Sequence, residues 1–219
     1  MKTLKVLLPA AIICFVSTLT VAQDAPSSST DDPRDMLQFG LKAGINYSAI
    51  YNTKGQNFLD NPLFGPAFGG FLSVPFGTYL GIQPEVLYSA KGFSGQGTTG
   101  DGQPYSFRDR TNYLDIPIML QLKLFPNLYL LGGPEYSYLL SHTYIFTNGV
   151  TSVSTQQEFQ NDNITHNVFG LIFGLDINFS QLTLGGRVAW DLQDNNGSGT
   201  STLPQYRNLW GQVTLGVRL

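Results

Sequence analysis

The sequence predicts an all-β protein, an eight-stranded antiparallel up-and-down transmembrane β-barrel. Three observations carry this prediction. Eight segments alternate apolar and polar residues with the period of two that a strand produces. Long and short connections alternate along the chain, as they do in membrane barrels. Every charge within the eight segments falls on the polar side of the alternation, so one face of the sheet carries no charge.

The chain is predicted to begin with a cleaved secretory signal over residues 1–22. Lys2 and Lys5 precede an apolar run that is too short to span a bilayer as a helix. Small residues stand at the positions that a signal peptidase requires, which places the cleavage after Ala22. The protein is therefore expected to be exported.

A lipoprotein signal built on Cys14 is the alternative, and it is disfavoured because Ile13 stands where a small residue is needed. Residues 23–36 hold Ser, Pro and Asp and almost nothing apolar, so we expect a disordered leader there. The barrel then comprises residues 37–219. These residues contain no apolar run of the length that a membrane-spanning helix needs.

Composition excludes several classes of function. Only 12% of the residues are charged, about half the fraction of an ordinary soluble domain. Removing the two signal lysines from the 12 basic residues leaves 10 against 15 acidic ones, so we expect no nucleic-acid partner. The single cysteine, Cys14, lies in the signal, which rules out a disulfide framework in the exported chain.

The predicted strands are defined by their alternation. In "LQFGLKAGINYSA" (37–49), every second residue from Leu37 to Tyr47 is apolar. In "GIQPEVLYSAKG" (81–92), aliphatic residues oppose a glutamate and a lysine. The fourth and eighth strands repeat the pattern over six and five apolar positions. The eight spans are residues 38–49, 64–75, 79–91, 111–124, 128–140, 165–178, 182–192 and 208–219.

Connections between these strands alternate in length. Three are about three residues long, around Gly77, Pro126 and Ser180. The other four are long and are expected to be mobile outer loops. Both ends of the barrel chain then lie on the short-turn, periplasmic side. The long connections are residues 50–63, 92–110, 141–164 and 193–207.

Charged residues within the spans are expected to line the barrel interior as a neutral network, with five bases and five acids. Eight strands leave a lumen that side chains can fill, and unpaired buried charges there would be costly. Arg187 and Arg218 are expected to pair with acids of this set. The set is Lys42, Glu85, Lys91, Asp115, Lys123, Glu135, Asp176, Arg187, Asp191 and Arg218.

The apolar face is expected to contact lipid. The opposite register would place the ten charges in the bilayer, where each base costs roughly 2–4 kcal/mol at the midplane. A soluble lipocalin-like barrel in the periplasm, with its apolar face inward, is the alternative. Aromatic residues near the strand ends favour lipid interfaces instead. These are Phe39, Tyr47, Phe64, Tyr88, Tyr138, Phe169, Phe179 and Trp190.

Three prolines fall in the middle of predicted strands. Pro84, Pro117 and Pro134 each remove a donor from the hydrogen-bonded ladder. A closed barrel has no edge strand to accommodate them. We therefore predict bulges or locally missing hydrogen bonds at these positions.

Three segments resemble the Bacteroidota outer-membrane β-barrel family, a group of porin-like or PorT-like barrels. They are "IQPEVLYSAKG" (82–92), "NYLDIPIMLQLKL" (112–124) and "LYLLGGPEYSYLLS" (128–141). The resemblance implies an eight-stranded barrel in the cell outer membrane, mostly of unassigned function, with some relatives in secretion or gliding machinery. Many such barrels end in an aromatic residue that the insertion machinery reads, whereas this chain ends in Leu219.

Motifs for catalysis or cofactor binding are weak, so we expect no cofactor. "GQGTTG" (95–100) has no following helix to bind phosphate and is expected to be a flexible loop. "DNNGSGT" (194–200) lacks the closing glutamate of a calcium loop. His142 and His166 have no third metal ligand. Ser141 and His142 are adjacent on a strand and would point to opposite faces.

The predicted function is a structural or binding scaffold that presents its long loops, and not an enzyme. The alternatives are a narrow porin-like channel and a lipid-modifying outer-membrane enzyme. The expected partners are membrane lipids, the barrel-insertion machinery and a protein bound through the loops. The loop aromatics are either contact residues or ordinary loop packing. They are Tyr105, Phe107, Tyr144, Phe146, Phe159 and Tyr206.

Overall fold

The computed structural model of the protein describes residues 36–54, 59–98, 102–148, 151–157, 165–195 and 205–219. The predicted signal over residues 1–22 lies outside the described residues, as does the predicted leader up to residue 35. No helix within these ranges is long and apolar enough to cross a membrane.

Within the described ranges, nine strands make up the barrel and its extension. Eight of them form a closed antiparallel ring in the order β1-β2-β3-β4-β5-β7-β8-β9, with β9 pairing back to β1. The predicted eight-stranded barrel is therefore confirmed. The strands are β1 (Gln38–Lys54), β2 (Leu59–Pro75), β3 (Leu80–Thr98), β4 (Pro104–Phe125), β5 (Leu128–Asn148), β6 (Thr151–Gln157), β7 (Asn167–Phe179), β8 (Leu182–Asp191) and β9 (Gln205–Arg218).

Several strands run farther than the sequence predicted. The expectation of a long loop over residues 92–110 is wrong, because β3 and β4 stay paired up to Thr98 and Pro104. The "GQGTTG" segment is likewise strand up to Thr98. The first part of the expected loop 141–164 also belongs to β5, and the additional strand β6 pairs with it there. We call the end of the barrel with these long connections the loop end and the opposite end the turn end.

Short turns close the other end of the ring, as predicted. They comprise residues 76–79, 126–127 and 180–181. Gly77 adopts φ +145°, a conformation that side chains disfavour, and Ser180 lies in the left-handed region at φ 50°. These turns hold each pair of strands in register at the turn end.

The apolar face of the sheet points outward and the polar face inward. Leu41, Leu120 and Val213 are each more than half exposed, whereas Lys42 and Glu85 are buried. A group of apolar side chains also faces into the barrel, alongside the inward polar side chains. Its members are Met119, Tyr129, Leu131, Ile172, Ala189 and Trp210. The interior is therefore mixed, with apolar packing between layers of polar groups.

Pairing is interrupted at the mid-strand prolines. The β3–β4 register runs up to Pro84 and Ile118 and resumes at Leu87 and Asp115 with the same offset. The β4–β5 register is likewise interrupted after Pro117 and resumes at Leu120. Locally missing pairs are thus confirmed, and the unchanged offset shows that no bulge accompanies them. Pro134 lies opposite the second gap, which places all three prolines on neighbouring strands.

Glycines on the inward face let neighbouring strands approach closely. A Cβ on Gly69 would lie 2.0 Å from the carbonyl oxygen of Val86, and one on Gly44 would lie 1.9 Å from that of Val213. No side chain fits at such distances without moving the backbone. By contrast, a Cβ on Gly186, which lies on the outward face, would meet nothing within 4 Å.

We predict that Gly69→Ala destabilises the barrel and that Gly186→Ala does not. The added methyl group at position 69 overlaps backbone, which costs about 1–3 kcal/mol of unfolding free energy. Urea unfolding in detergent micelles, followed by the gel shift between folded and heated protein, measures both. Equal losses in the two variants would contradict the close approach at Gly69.

Candidate functional site in the barrel interior

Four charged side chains form a neutral group in the half of the lumen near the turn end. We call this the turn-side cluster; it comprises Lys42, Glu85, Asp176 and Arg187. The ammonium of Lys42 lies 2.6 Å from Glu85 Oε1. The guanidinium of Arg187 donates to both carboxylate oxygens of Asp176, at 2.6 and 3.0 Å. Its Nη2 also lies 3.4 Å from Glu85 Oε1.

Glycines make room for the turn-side cluster. Gly69 stands between Lys42 on β1 and Leu87 on β3. The lysine therefore meets no side chain at position 69 of β2, and its ammonium lies 4.8 Å from the ring centroid of Phe71, two residues along that strand. A Cβ on Gly174 would lie 2.5 Å from Arg187 Cδ, and one on Gly185 would lie 2.8 Å from Asp176 Oδ1. The sequence alternation identified the charges, but it did not identify these glycines as part of their site.

A second group of charges surrounds Lys91. Its ammonium lies 2.9 Å from Asp115 Oδ2 and 3.4 Å from Glu135 Oε1. It also lies 3.5 Å from the centroid of the Trp210 ring. Burial of both side chains strengthens this cation–π contact. Asp191 interacts electrostatically with the same lysine and accepts hydrogen bonds from Asn208. We call Lys91, Asp115, Glu135 and Asp191 the Lys91 cluster.

Not all of the ten predicted interior charges lie deep in the barrel. Eight are buried. Lys123 and Arg218 are only half-buried near the turn end. Arg218 donates to Gln38 Oε1 at 3.1 Å and to the carbonyl of Ser180. These two bases lie beyond the last buried layer, where the strands end and water is close.

Asp109 and His142 are also buried, although both positions fell in predicted long connections. His142 Nε2 lies 2.9 Å from Asp109 Oδ1. Leaving the histidine aside, the described residues place three buried Lys and Arg side chains against six buried carboxyl groups, Asp109 included. The deep interior therefore carries an excess of acid, which differs from the balanced set that the sequence suggested.

Apolar side chains, most of them aromatic, pack together at the loop end of the lumen above this pair. Ile50, Phe93, Phe107 and Tyr206 pack together there, and we call them the mouth cluster. The rings of Phe93 and Tyr206 meet edge to face at 4.8 Å between centroids. Tyr206 donates to Asp109 Oδ2 at 3.4 Å, which joins the cluster to the charged layer below.

Most of the predicted loop aromatics therefore pack inward on strands. Tyr105, Tyr144 and Phe146 pack against the mouth cluster, and Phe159 lies outside the described residues. Alternation was the available signal: Phe107, Asp109 and the residues that follow at every second position face inward along β4.

The predicted interface aromatics lie on the outward face. Five are about half exposed or more, namely Phe39, Tyr47, Phe64, Phe169 and Phe179. Tyr88, Tyr138 and Trp190 are partly covered by outward neighbours. The covering contacts include Phe68 against Tyr88, with ring centroids 4.9 Å apart, and Phe173 against Trp190 at 5.7 Å. They form two rows, one toward each end of the barrel.

Catalytic or metal-binding geometry is weak in this interior. Ser141 points outward and accepts a hydrogen bond from Asn112 at 2.7 Å, whereas the adjacent His142 is buried. Within the part of the chain that the structure describes, no group of three or more His, Cys, Asp or Glu side chains is arranged to hold a metal ion. The chemistry that this arrangement supports is charge pairing.

A comparison with protein families agrees with this architecture. A family model described as "Outer membrane protein beta-barrel domain" matches residues 21–196. Among curated proteins, none matches the sequence significantly. Similar solved structures include Ail, the attachment invasion locus protein of Yersinia pestis, at 11% identity over 84% of this chain and 99% of that chain, with a TM-score of 0.45.

Two further solved structures show the same level of similarity. Neisserial surface protein A is 9% identical over 83% of this chain and 97% of its own, with a TM-score of 0.45. OprG from Pseudomonas aeruginosa is 10% identical over 84% of this chain and 94% of its own, with a TM-score of 0.37. At these identities the likeness concerns the fold alone.

We predict that Arg187→Met destabilises the barrel strongly, whereas Arg207→Met does not. Removing the Arg187 guanidinium leaves the buried carboxylate of Asp176 without its ion-pair partner and leaves Glu85 paired with Lys42 alone, which costs about 3–5 kcal/mol. Arg207 is the matched control because its ion pair with Asp194, at 2.7 Å, is partly exposed. Unfolding free energies in detergent test this, and a similar small effect of both variants would contradict the role of the turn-side cluster.

Proposed function

Because this chain belongs to the outer-membrane protein β-barrel family, we propose that it acts in that membrane as a closed scaffold rather than as a pore. The observation that supports the proposal is the packing of buried side chains in successive layers of the lumen. The mouth cluster packs at the loop end, and the Lys91 and turn-side clusters lie in the layers below it.

Ion pairs that join strands across the lumen support a closed interior. Lys42 on β1 contacts Glu85 on β3, and Arg187 on β8 contacts the same carboxylate. A solute that passed between them would have to separate buried opposite charges, which is strongly unfavourable when no partner replaces them. The Trp210 ring against Lys91 occupies the next layer.

We propose that partners bind the part of β3, β4 and β5 that extends beyond the outward apolar face of the barrel. We call that outward apolar face the apolar belt. Tyr88 belongs to the aromatic row at the loop end, and Leu114 pairs with it in register. β3 and β4 extend for up to ten residues beyond these two positions. A stiff sheet presents contact residues with less loss of conformational freedom on binding than a flexible loop does. A protein partner at this surface or at the remaining loops fits a scaffold.

We also propose that the chain is not an enzyme. The Asp109–His142 pair is the closest approach to a catalytic dyad among the described residues, and each side chain is only 3% exposed beneath the mouth cluster. A general base must reach the proton that it removes from a substrate. The pair is better suited to joining β4 and β5.

Export and assembly remain proposals that rest on the sequence. The signal over residues 1–22, the leader over 23–36 and recognition by the barrel-insertion machinery belong to this group. The finer resemblance to the Bacteroidota porin-like barrels rests on three quoted segments: 82–92, 112–124 and 128–141. Cell fractionation with N-terminal sequencing of the outer-membrane form tests the predicted cleavage after Ala22.

We predict that the purified barrel gives no discrete current steps in a planar lipid bilayer. A Phe107→Ala, Tyr206→Ala double variant is expected to stay silent as well, because the two charged clusters still fill the lumen. Steps from the unaltered protein would favour the channel function. Steps from the double variant alone would contradict the filling of the lower layers.

Purified protein is expected to release no fatty acid and transfer no acyl group when it is incubated with outer-membrane phospholipids. Mass spectrometry of the lipids before and after incubation measures this. Lipid turnover that disappears in His142→Gln, with the heat-dependent gel shift of the folded barrel retained, would show that the buried dyad is catalytic.

A further inference from the structure

Outside the apolar belt, β4 carries two arginines that face away from the barrel. Arg108 and Arg110 are exposed, while Phe107, Asp109 and Thr111 between and beside them are buried. Residues two apart on a strand share a face and lie about 7 Å apart. Both guanidinium groups therefore project from the same outer surface.

The position of the two arginines relative to the belt is set by the register. Leu114 pairs with Tyr88 on one side and with Tyr138 on the other, within the loop-end aromatic row. Arg110 lies four residues before Leu114 in β4, on the side of the loop end. For a strand tilted by about 40°, this spacing corresponds to about 10 Å along the barrel axis. The long arginine side chains reach from there toward the level of lipid headgroups.

The residues that pair in register with the two arginines carry no negative charge. Arg108 pairs in register with Ser94 and Ile145, and Arg110 pairs with Gly92 and Thr143. Neither arginine makes an ion pair with any residue that the structure describes. Arg207, an outward arginine on β9 at the same end, differs because its Nε lies 2.7 Å from Asp194 Oδ1.

A shallow groove of about 350 Å³ lies beside Arg108. Hydroxyl and amide groups line much of it, and these can donate hydrogen bonds to anionic oxygens. Its lining includes Asn61, Ser94, Gln96, Ser106, Arg108 and Thr147.

We propose that Arg108 and Arg110, with this groove, form a binding site for the phosphate group of a lipid in the outer leaflet. Guanidinium forks match phosphate oxygens in pairs. The lipid source is favoured over a soluble anion because the arginines continue the lipid-facing row of Leu114 and the residues below it.

The test compares lipid retention by three folded proteins: the unaltered barrel, Arg108→Gln/Arg110→Gln and Arg207→Gln. Each is titrated in mixed detergent micelles with phosphatidic acid or phosphatidylcholine, and bound lipid is counted by native mass spectrometry. Two basic residues near an anionic headgroup should favour retention of phosphatidic acid over phosphatidylcholine by roughly tenfold or more. The double variant is expected to lose that preference, and Arg207→Gln is expected to keep it.

A second measurement distinguishes the lipid from a soluble anion. Inositol hexakisphosphate without lipid is expected to bind the unaltered barrel no better than the double variant. Equal phosphatidic acid retention by the unaltered barrel and the double variant would overturn the proposal. Arginine-dependent binding of the soluble polyphosphate at least as tight as that of the lipid would overturn it as well. The gel shift on heating verifies that each variant is folded.

Discussion

Opposite charges that meet inside the lumen allow the apolar face of this sheet to point outward. Because side chains alternate along a strand, turning Leu41 outward forces Lys42 inward. A charge in so narrow a space is tolerated when it is paired and hydrogen-bonded. Glu85 meets Lys42 at 2.6 Å, and the glycines beside the cluster leave space for both. The outer belt, the inner ion pairs and the glycine positions are thus parts of one constraint.

The alternation in the sequence was sufficient to predict the ring and most of the buried charges, but not their partners. Arg187 was assigned inward, yet five acids were equally plausible partners. The choice of Asp176 depends on the stagger between β7 and β8, which pairs Gly174 with Arg187 and places the carboxylate diagonally. Lys123 carries the inward parity too, but it stands at a strand end, where parity no longer implies burial.

Residues 104–110 were misassigned as loop because the rule that defines a lipid-facing strand changes along β4. Within the belt, Leu114 and Ile116 point outward while Tyr113 and Asp115 point inward. Nearer the loop end of the same strand, Arg108 and Arg110 point outward and Phe107 faces inward. The strand passes from the lipid-facing part of the barrel into the region beyond it, so its outward residues become polar while its inward residues become aromatic. A search for outward apolar residues ends at that boundary, although the hydrogen-bonded ladder continues.

The ion pairs and amide contacts in this lumen connect strands that are far apart in the chain. Arg187 reaches Glu85 across 102 positions, and Gln212 donates to Asn46 across 166. A nascent sheet that lacked β8 and β9 would hold Glu85 without its arginine and Asn46 without its glutamine. Neutralising the centre and sealing the seam between β1 and β9 therefore occur together. Assembly of this barrel should be cooperative, with few stable intermediates short of the complete ring.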